Sequence, residues 1–207
     1  MRLRGLYAVT PDCADEGALI GQARRALAGG AALLQYRNKR APGAQRLREA
    51  RALAALCRQH GVPLIVNDDA RLALAAGAHG AHLGRADGDP AAARALLGGK
   101  LLGVSCYDSL ERARAAVAAG ADYVAFGAVF ASPTKPGAVR APLELFAAAR
   151  ALGVPLAAIG GITLGNAPQA IAAGADLLAV ISDLFDAPDV EDRARAYARL
   201  FAHAVAQ

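Results

Sequence analysis

Four stretches decide the fold: Leu27-Ala-Gly-Gly-Ala-Ala-Leu-Leu34, Ala75-Ala-Gly-Ala-His-Gly-Ala-His82, Ala118-Ala-Gly-Ala-Asp-Tyr-Val124 and Ala172-Ala-Gly-Ala-Asp-Leu-Leu178. In each, an alanine-rich segment of helical period meets a glycine suited to the left-handed position that ends a helix, and an apolar strand begins a residue or two later. The helix stops and the chain turns back, so the recurrence marks a βα repeat. Working outward, strand-like runs fall near residues 4–9, 32–36, 63–67, 80–83, 101–105, 123–127, 155–159 and 177–181, with helical segments between them and one after the last. The runs are short and apolar on both faces, as a parallel sheet covered by helices requires. Eight evenly spaced units with no Pro/Gly/Ser-rich linker predict an α/β chain folded as a single (β/α)8 TIM barrel over residues 1–207. A doubly wound open sheet is the alternative, and rarely needs eight such repeats.

Composition narrows the function classes. The chain is 55% hydrophobic and 20% charged, and no apolar run approaches a membrane span, so a soluble protein is expected. The amino terminus enters a strand pattern within a few residues and carries no signal-peptide features, which points to the cytoplasm. Cys13, Cys57 and Cys106 are odd in number and dispersed, fitting reduced thiols better than a disulfide framework, and no Cys-x-x-Cys suggests zinc. The net charge of +5 is spread through amphipathic stretches such as 45–58 and 190–199, which argues against nucleic acid as a partner. Lysine is rare, at positions 39, 100 and 135 only.

In a barrel of this kind the chemistry gathers where strands end. After the second strand, alternation places Gln35, Arg37 and Lys39 on one side and Tyr36 and Asn38 on the other, so two cations and an amide face an anion together. The third strand ends in Asn67-Asp68-Asp69 and the fourth in Gly84-Arg-Ala-Asp87. Asp69 and Asp89 suit helix caps, which leaves Asp68 and Asp87 as a pair of hard oxygen ligands of the kind Mg²⁺ takes beside substrate phosphates. Ser105 closes the fifth strand, with Asp108 or Ser109 ready to cap the next helix. The sixth leads into the proline-stiffened Ser132-Pro133-Thr134-Lys135. Gly161 after the seventh strand, and Ile181 and Ser182 after the eighth, fall where this fold recurrently binds phosphate. His82 reads as a hydrogen-bonded barrel histidine, and His60, His79 and His203 as helix-end or surface residues. No P-loop, dinucleotide fingerprint or Ser-His-Asp arrangement appears.

In this order, Gln35-Tyr-Arg-Asn-Lys39, Val66-Asn-Asp68, His82-Leu-Gly-Arg-Ala-Asp87, Gly103-Val-Ser105, Gly127 to Pro136, Ala158 to Ile162 and Val180-Ile-Ser182 resemble the thiamine phosphate synthase family. That resemblance implies the joining of hydroxymethylpyrimidine pyrophosphate to a thiazole phosphate with release of pyrophosphate. Gln35, Tyr36, Arg37, Asn38 and Lys39, with Asn67, Ser105 and Lys135, would then bind the pyrimidine substrate, with Arg37, Lys39, Ser105 and Lys135 in catalytic roles. Asp68 and Asp87 would hold Mg²⁺, and Ser132, Pro133, Thr134, Gly161, Ile181 and Ser182 would bind the thiazole phosphate. The family commonly has Arg-Glu-Lys where this chain has Arg37-Asn38-Lys39, and Gly-Gln where it has Gly84-Arg85. Because Asn38 faces away from its neighbours, its lost charge should affect packing or a salt bridge more than substrate contact. The related thiazole tautomerase lacks the metal pair and has a histidine at the place of Tyr107. A non-catalytic sensor of thiamine precursors is the competing class.

Overall fold

The recurring junctions have the backbone expected of helix ends, with Gly120 and Gly174 at φ +94° and +113°. In three of the four, the residue two places after the glycine is just as constrained. The Asp122 carboxylate accepts from the Leu102 N–H at 2.7 Å, and that of Asp176 from the Leu156 N–H at 3.0 Å. His79, at the same place in its junction, accepts through Nδ1 from the Leu64 N–H at 3.0 Å. These three junctions thereby tie the incoming strand to the start of the strand before it. His79 is half-buried in this strap, which corrects its reading as a helix-end or surface residue.

The computed structural model describes residues 3–131 and 139–203. Its strands are β1 (Gly5–Val9), β2 (Leu33–Tyr36), β3 (Leu64–Asn67), β4 (Gly80–Leu83), β5 (Leu101–Tyr107), β6 (Tyr123–Gly127), β7 (Leu156–Ile159) and β8 (Leu177–Val180). They pair in parallel in chain order, and β8 pairs with β1 to close the barrel. The helices are α1 (Glu16–Ala28), α2 (Gly43–His60), α3 (Ala70–Ala75), α4 (Pro90–Leu97), α5 (Leu110–Ala118), α6 (Glu144–Ala149), α7 (Ala167–Ala173), α8 (Ser182–Phe185) and α9 (Val190–His203). Among the described residues none is long and apolar enough to cross a membrane.

Strand alternation divides the core in two. Tyr7, Val9, Leu33, Ile65, Tyr123, Ala157 and Leu177 fill the barrel interior. Leu6, Leu34, Tyr36, Val66, Val124 and Leu178 face the helices, where small residues such as Ala23, Ala54 and Ala113 allow close approach. Asp69, Asp89 and Ser109 cap α3, α4 and α5, which leaves Asp68 and Asp87 free of capping. Cys13, Cys57 and Cys106 are free thiols, and burial pushes Cys57 and Cys106 up to about 12.

Candidate active site

The end of β2 is shaped by β1. The buried Thr10 hydroxyl accepts from the Arg37 N–H at 2.8 Å and donates to the Arg37 carbonyl at 2.9 Å, extending the β1–β2 pairing by one side chain. Asp12 then receives the Lys39 N–H at 2.6 Å and the Arg37 guanidinium at 3.0 Å. Partial burial pushes the Asp12 carboxyl up, but these bonds and the positive charge of Arg37 outweigh it and leave it below the usual range. Arg37 and Lys39 are therefore held at the rim before any ligand arrives.

Tyr36 and Asn38 turn the other way, as alternation predicts. Both border a cleft of about 300 Å³ between the β2 and β3 loops, which Arg37, Lys39, Arg46, Asn67 and Asp68 also line. The Tyr36 hydroxyl and the Asn38 amide nitrogen, however, are engaged behind it by Glu49 of α2, a fully buried carboxyl, while Asn38 Oδ1 is buried with no hydrogen-bond partner among the described residues. The Tyr36 hydroxyl donates to Glu49 Oε2 at 2.6 Å, Asn38 Nδ2 to the same oxygen at 3.0 Å, and Gln45 Nε2 to Oε1 at 2.7 Å. Asn38 Nδ2 also donates to the Cys13 carbonyl at 2.8 Å. Position 38 thus lies beside a buried carboxyl and supports the strand end from the rear, in keeping with a packing role for its departure from the family pattern.

Asp68 follows β3 with φ +65°, a left-handed conformation uncommon for any residue but glycine, and its N–H donates to the His82 carbonyl at 2.8 Å. This turn brings its carboxylate to Lys39 Nζ, 2.7 Å away, and against Asp87. The Asp87 carboxyl accepts from the Gly84 N–H at 2.7 Å. Burial, and then the neighbouring Asp68 carboxylate, raise Asp87 above its usual value. Two carboxyl groups drawn from successive strand ends repel unless a proton or a cation sits between them. Among the described residues no group of three or more His, Cys, Asp or Glu converges, so the protein offers a pair, and a hard cation held there would take its other ligands from water or substrate.

On the far side of the mouth, Gly161 has φ +64°, and a Cβ there would lie 2.7 Å from the Phe130 carbonyl oxygen and overlap that of Ala131. Its carbonyl accepts from Asn166 Nδ2 at 2.9 Å, which braces the β7 loop. Ile181 and Ser182 begin the single turn of α8 after β8, where the first N–H groups have no partner within the helix. Ser132, Pro133, Thr134 and Lys135 lie outside the described residues. Inside the barrel, His82 bonds the Tyr123 hydroxyl at 3.1 Å and Ser105 Oγ at 2.9 Å, as a barrel histidine should. Burial, only partly offset by Asp68, pulls its ring down to about 4, so it is neutral near pH 7. β5 runs on through a bulge to Tyr107, whose hydroxyl accepts from the Arg85 N–H at 3.2 Å while the Arg85 guanidinium lies 4.7 Å from the ring centre.

Residues 6–184 match the family described as thiamine monophosphate synthase. The chain belongs to the thiamine monophosphate synthase family. It is similar to the thiamine-phosphate synthase of Aromatoleum aromaticum, 65% identical over 97% of both chains. It is also 64% identical to that of Azoarcus sp., over 97% of this chain and 98% of the relative. Among solved structures it resembles the thiamine phosphate pyrophosphorylase of Pyrococcus furiosus with a TM-score of 0.88 and 31% identity, covering 99% of this chain and 98% of the other. Within that family frame, sequence reasoning missed Thr10, Asp12 and Glu49, which hold the β2 end, and Tyr7 and Tyr123, which reach the site from inside. The available signal was polarity in otherwise apolar strands, together with a glutamate on the inner face of an alanine-rich helix.

Proposed function

We propose that this chain is a transferase that couples hydroxymethylpyrimidine pyrophosphate with thiazole phosphate to give thiamine phosphate and pyrophosphate. The carrying observation is the division of one barrel mouth. Arg37, Lys39, Asp68 and Asp87 gather at the ends of β2 to β4, and a glycine-braced, N–H-rich edge follows β7 and β8. Two anionic ligands can thus be held at once, facing a common space. The Asp68 and Asp87 pair suits Mg²⁺, which when bound would neutralise charge on the pyrophosphate.

The protein's own groups do the rest. The bond from the pyrimidine methylene carbon to pyrophosphate oxygen breaks, its electron pair leaving with pyrophosphate, and the thiazole nitrogen donates the pair that forms the new C–N bond. Arg37 and Lys39, pre-set by Asp12 and Asp68, stabilise the charge that develops on the departing oxygen, and Lys135 is assigned the same task. Gln35, Asn67 and Ser105 orient the pyrimidine, while Gly161, Ile181 and Ser182, with Ser132, Pro133 and Thr134, hold the thiazole phosphate. The tautomerase reading is disfavoured by Tyr107, a phenol already engaged by Arg85 where that relative has an imidazole. Incubation with both precursors and Mg²⁺ should yield thiamine phosphate and pyrophosphate in equal amounts, and well-folded protein that yields neither would overturn the reading.

A further inference from the structure

Five polar side chains from five different strands form one unbroken row of hydrogen bonds through the barrel. Gln35 Nε2 of β2 donates to the Tyr7 hydroxyl of β1. The Tyr7 and Tyr123 hydroxyls are 2.7 Å apart, the Tyr123 hydroxyl is 3.1 Å from His82 Nδ1, and His82 Nε2 is 2.9 Å from Ser105 Oγ. Tyr7, Tyr123, His82 and Gln35 are all buried, and Leu33, Ile65, Ala157 and Leu177 fill the same interior. Gly103 of β5 makes the row possible, since a Cβ there would overlap the Tyr123 hydroxyl.

The row has a direction. An amide nitrogen only donates, so the Tyr7 oxygen accepts from Gln35, and the one arrangement in which every buried proton of the row finds an acceptor has Tyr7 donating to Tyr123. Tyr123 in turn has one proton to give, and gives it to His82 Nδ1. A neutral imidazole that accepts at Nδ1 carries its proton on Nε2 and donates it to Ser105 Oγ. The serine proton is then the one with no acceptor inside the row. At the other end Gln35 Nε2 is committed to Tyr7, which leaves Oε1 as the amide's acceptor. Reversing the hydroxyl and imidazole links would leave the Tyr7 proton without an acceptor unless the Gln35 amide also turned over, so the two end groups cannot be set independently.

We propose that Tyr7, Tyr123 and His82 are positioning residues that form a directional relay, fixing Gln35 as an acceptor and Ser105 as a donor. The two strand ends then read opposite hydrogen-bonding groups on one nitrogen heterocycle as a single unit. A ring with both an amino donor and a ring-nitrogen acceptor fits this pair, and a ring with either alone leaves one end unpaired. The identity of that ring as the pyrimidine rests on the proposed function, whereas the relay is a property of the free protein.

Nitrogen-15 NMR of the free wild-type protein at neutral pH should find His82 as a single neutral tautomer, protonated at Nε2. Tyr123→Phe removes the donor to Nδ1 and should leave a mixture of tautomers. Tyr7→Phe should keep the single tautomer, because Tyr123 still donates to the ring. Both variants should raise KM for the pyrimidine pyrophosphate about tenfold, the scale of one hydrogen bond, and leave KM for the thiazole phosphate within about twofold. A wild-type ring protonated at Nδ1 or mixed, an unchanged pyrimidine KM in both variants, or an equal rise for both substrates would overturn the relay. If Tyr123→Phe does not fold, the wild-type tautomer and Tyr7→Phe still decide. Wild-type protein that fails to couple the precursors refutes the functional reading, while its NMR spectrum judges the relay separately.

Discussion

His82 should make the barrel acid-sensitive by an amount that can be worked out. Its ring is buried, and burial pulls it from 6.5 down to about 4, with Asp68 opposing only in part. The unfolded chain therefore takes up a proton as pH falls through 6.5, while the folded chain does not until near 4. Stability is complete above this window and falls as pH drops through it. Each pH unit inside it is worth ~1.4 kcal/mol, so acidification to about pH 4.5 should remove roughly 2–3 kcal/mol. For a chain of this size that is a fall in Tm of about 5–10 °C. His82→Gln keeps an acceptor and a donor for Tyr123 and Ser105 but cannot titrate. Urea unfolding of wild type and variant at neutral pH and at about pH 4.5 isolates the effect, since every carboxylate is common to both proteins. The wild type should lose roughly 2–3 kcal/mol more than the variant. Parallel losses would show that the ring is protonated in the fold, or that it is not buried as described.

Asn38→Asp places a second carboxyl against Glu49 Oε2, now 3.0 Å from Asn38 Nδ2, and should cost ~3 kcal/mol in chemical denaturation, whereas the exposed Arg40→Gln should cost almost nothing. Asp68→Ala combined with Asp87→Ala should abolish the Mg²⁺ dependence of coupling with the circular dichroism spectrum unchanged, and retained dependence would place the ligands elsewhere. Lys135→Ala should slow turnover about 10²-fold at saturating substrates if its charge stabilises the leaving group, and a near-wild-type rate would remove it from that role. Gly161→Ala must adopt a φ of +64° and push its Cβ at the Phe130 and Ala131 carbonyls, so it should cost ~1–3 kcal/mol and raise KM for the thiazole phosphate more than for the pyrimidine.

The barrel was legible because its signal is local and repeated. An alanine-rich helix end, a left-handed glycine and an apolar strand can each be read within about ten residues, and the bounds of the β strands fall within one residue of the predicted runs except at β5, which runs two residues further. There the bulge that carries the strand on to Tyr107 depends on pairing with Phe126, which no reading of residues 101–107 alone contains. The junction residues Asp122 and Asp176 were seen as part of a repeat, yet the reason for an acceptor there lies in the first N–H groups of another strand.

The same distinction separates the parts of the site. Alternation along one strand suffices to put Gln35, Arg37 and Lys39 on one side and Tyr36 and Asn38 on the other. What holds that strand end comes from Thr10 and Asp12 in front and Glu49 behind, and is visible only once β1, β2 and α2 are packed together. A departure such as Asn38 is therefore best judged by the environment behind the strand, where Glu49 already supplies a buried carboxyl, rather than by the charge missing from a linear motif. By that criterion Arg85 belongs with Tyr107, whose ring and hydroxyl it covers and bonds, and the two positions should be varied as a pair.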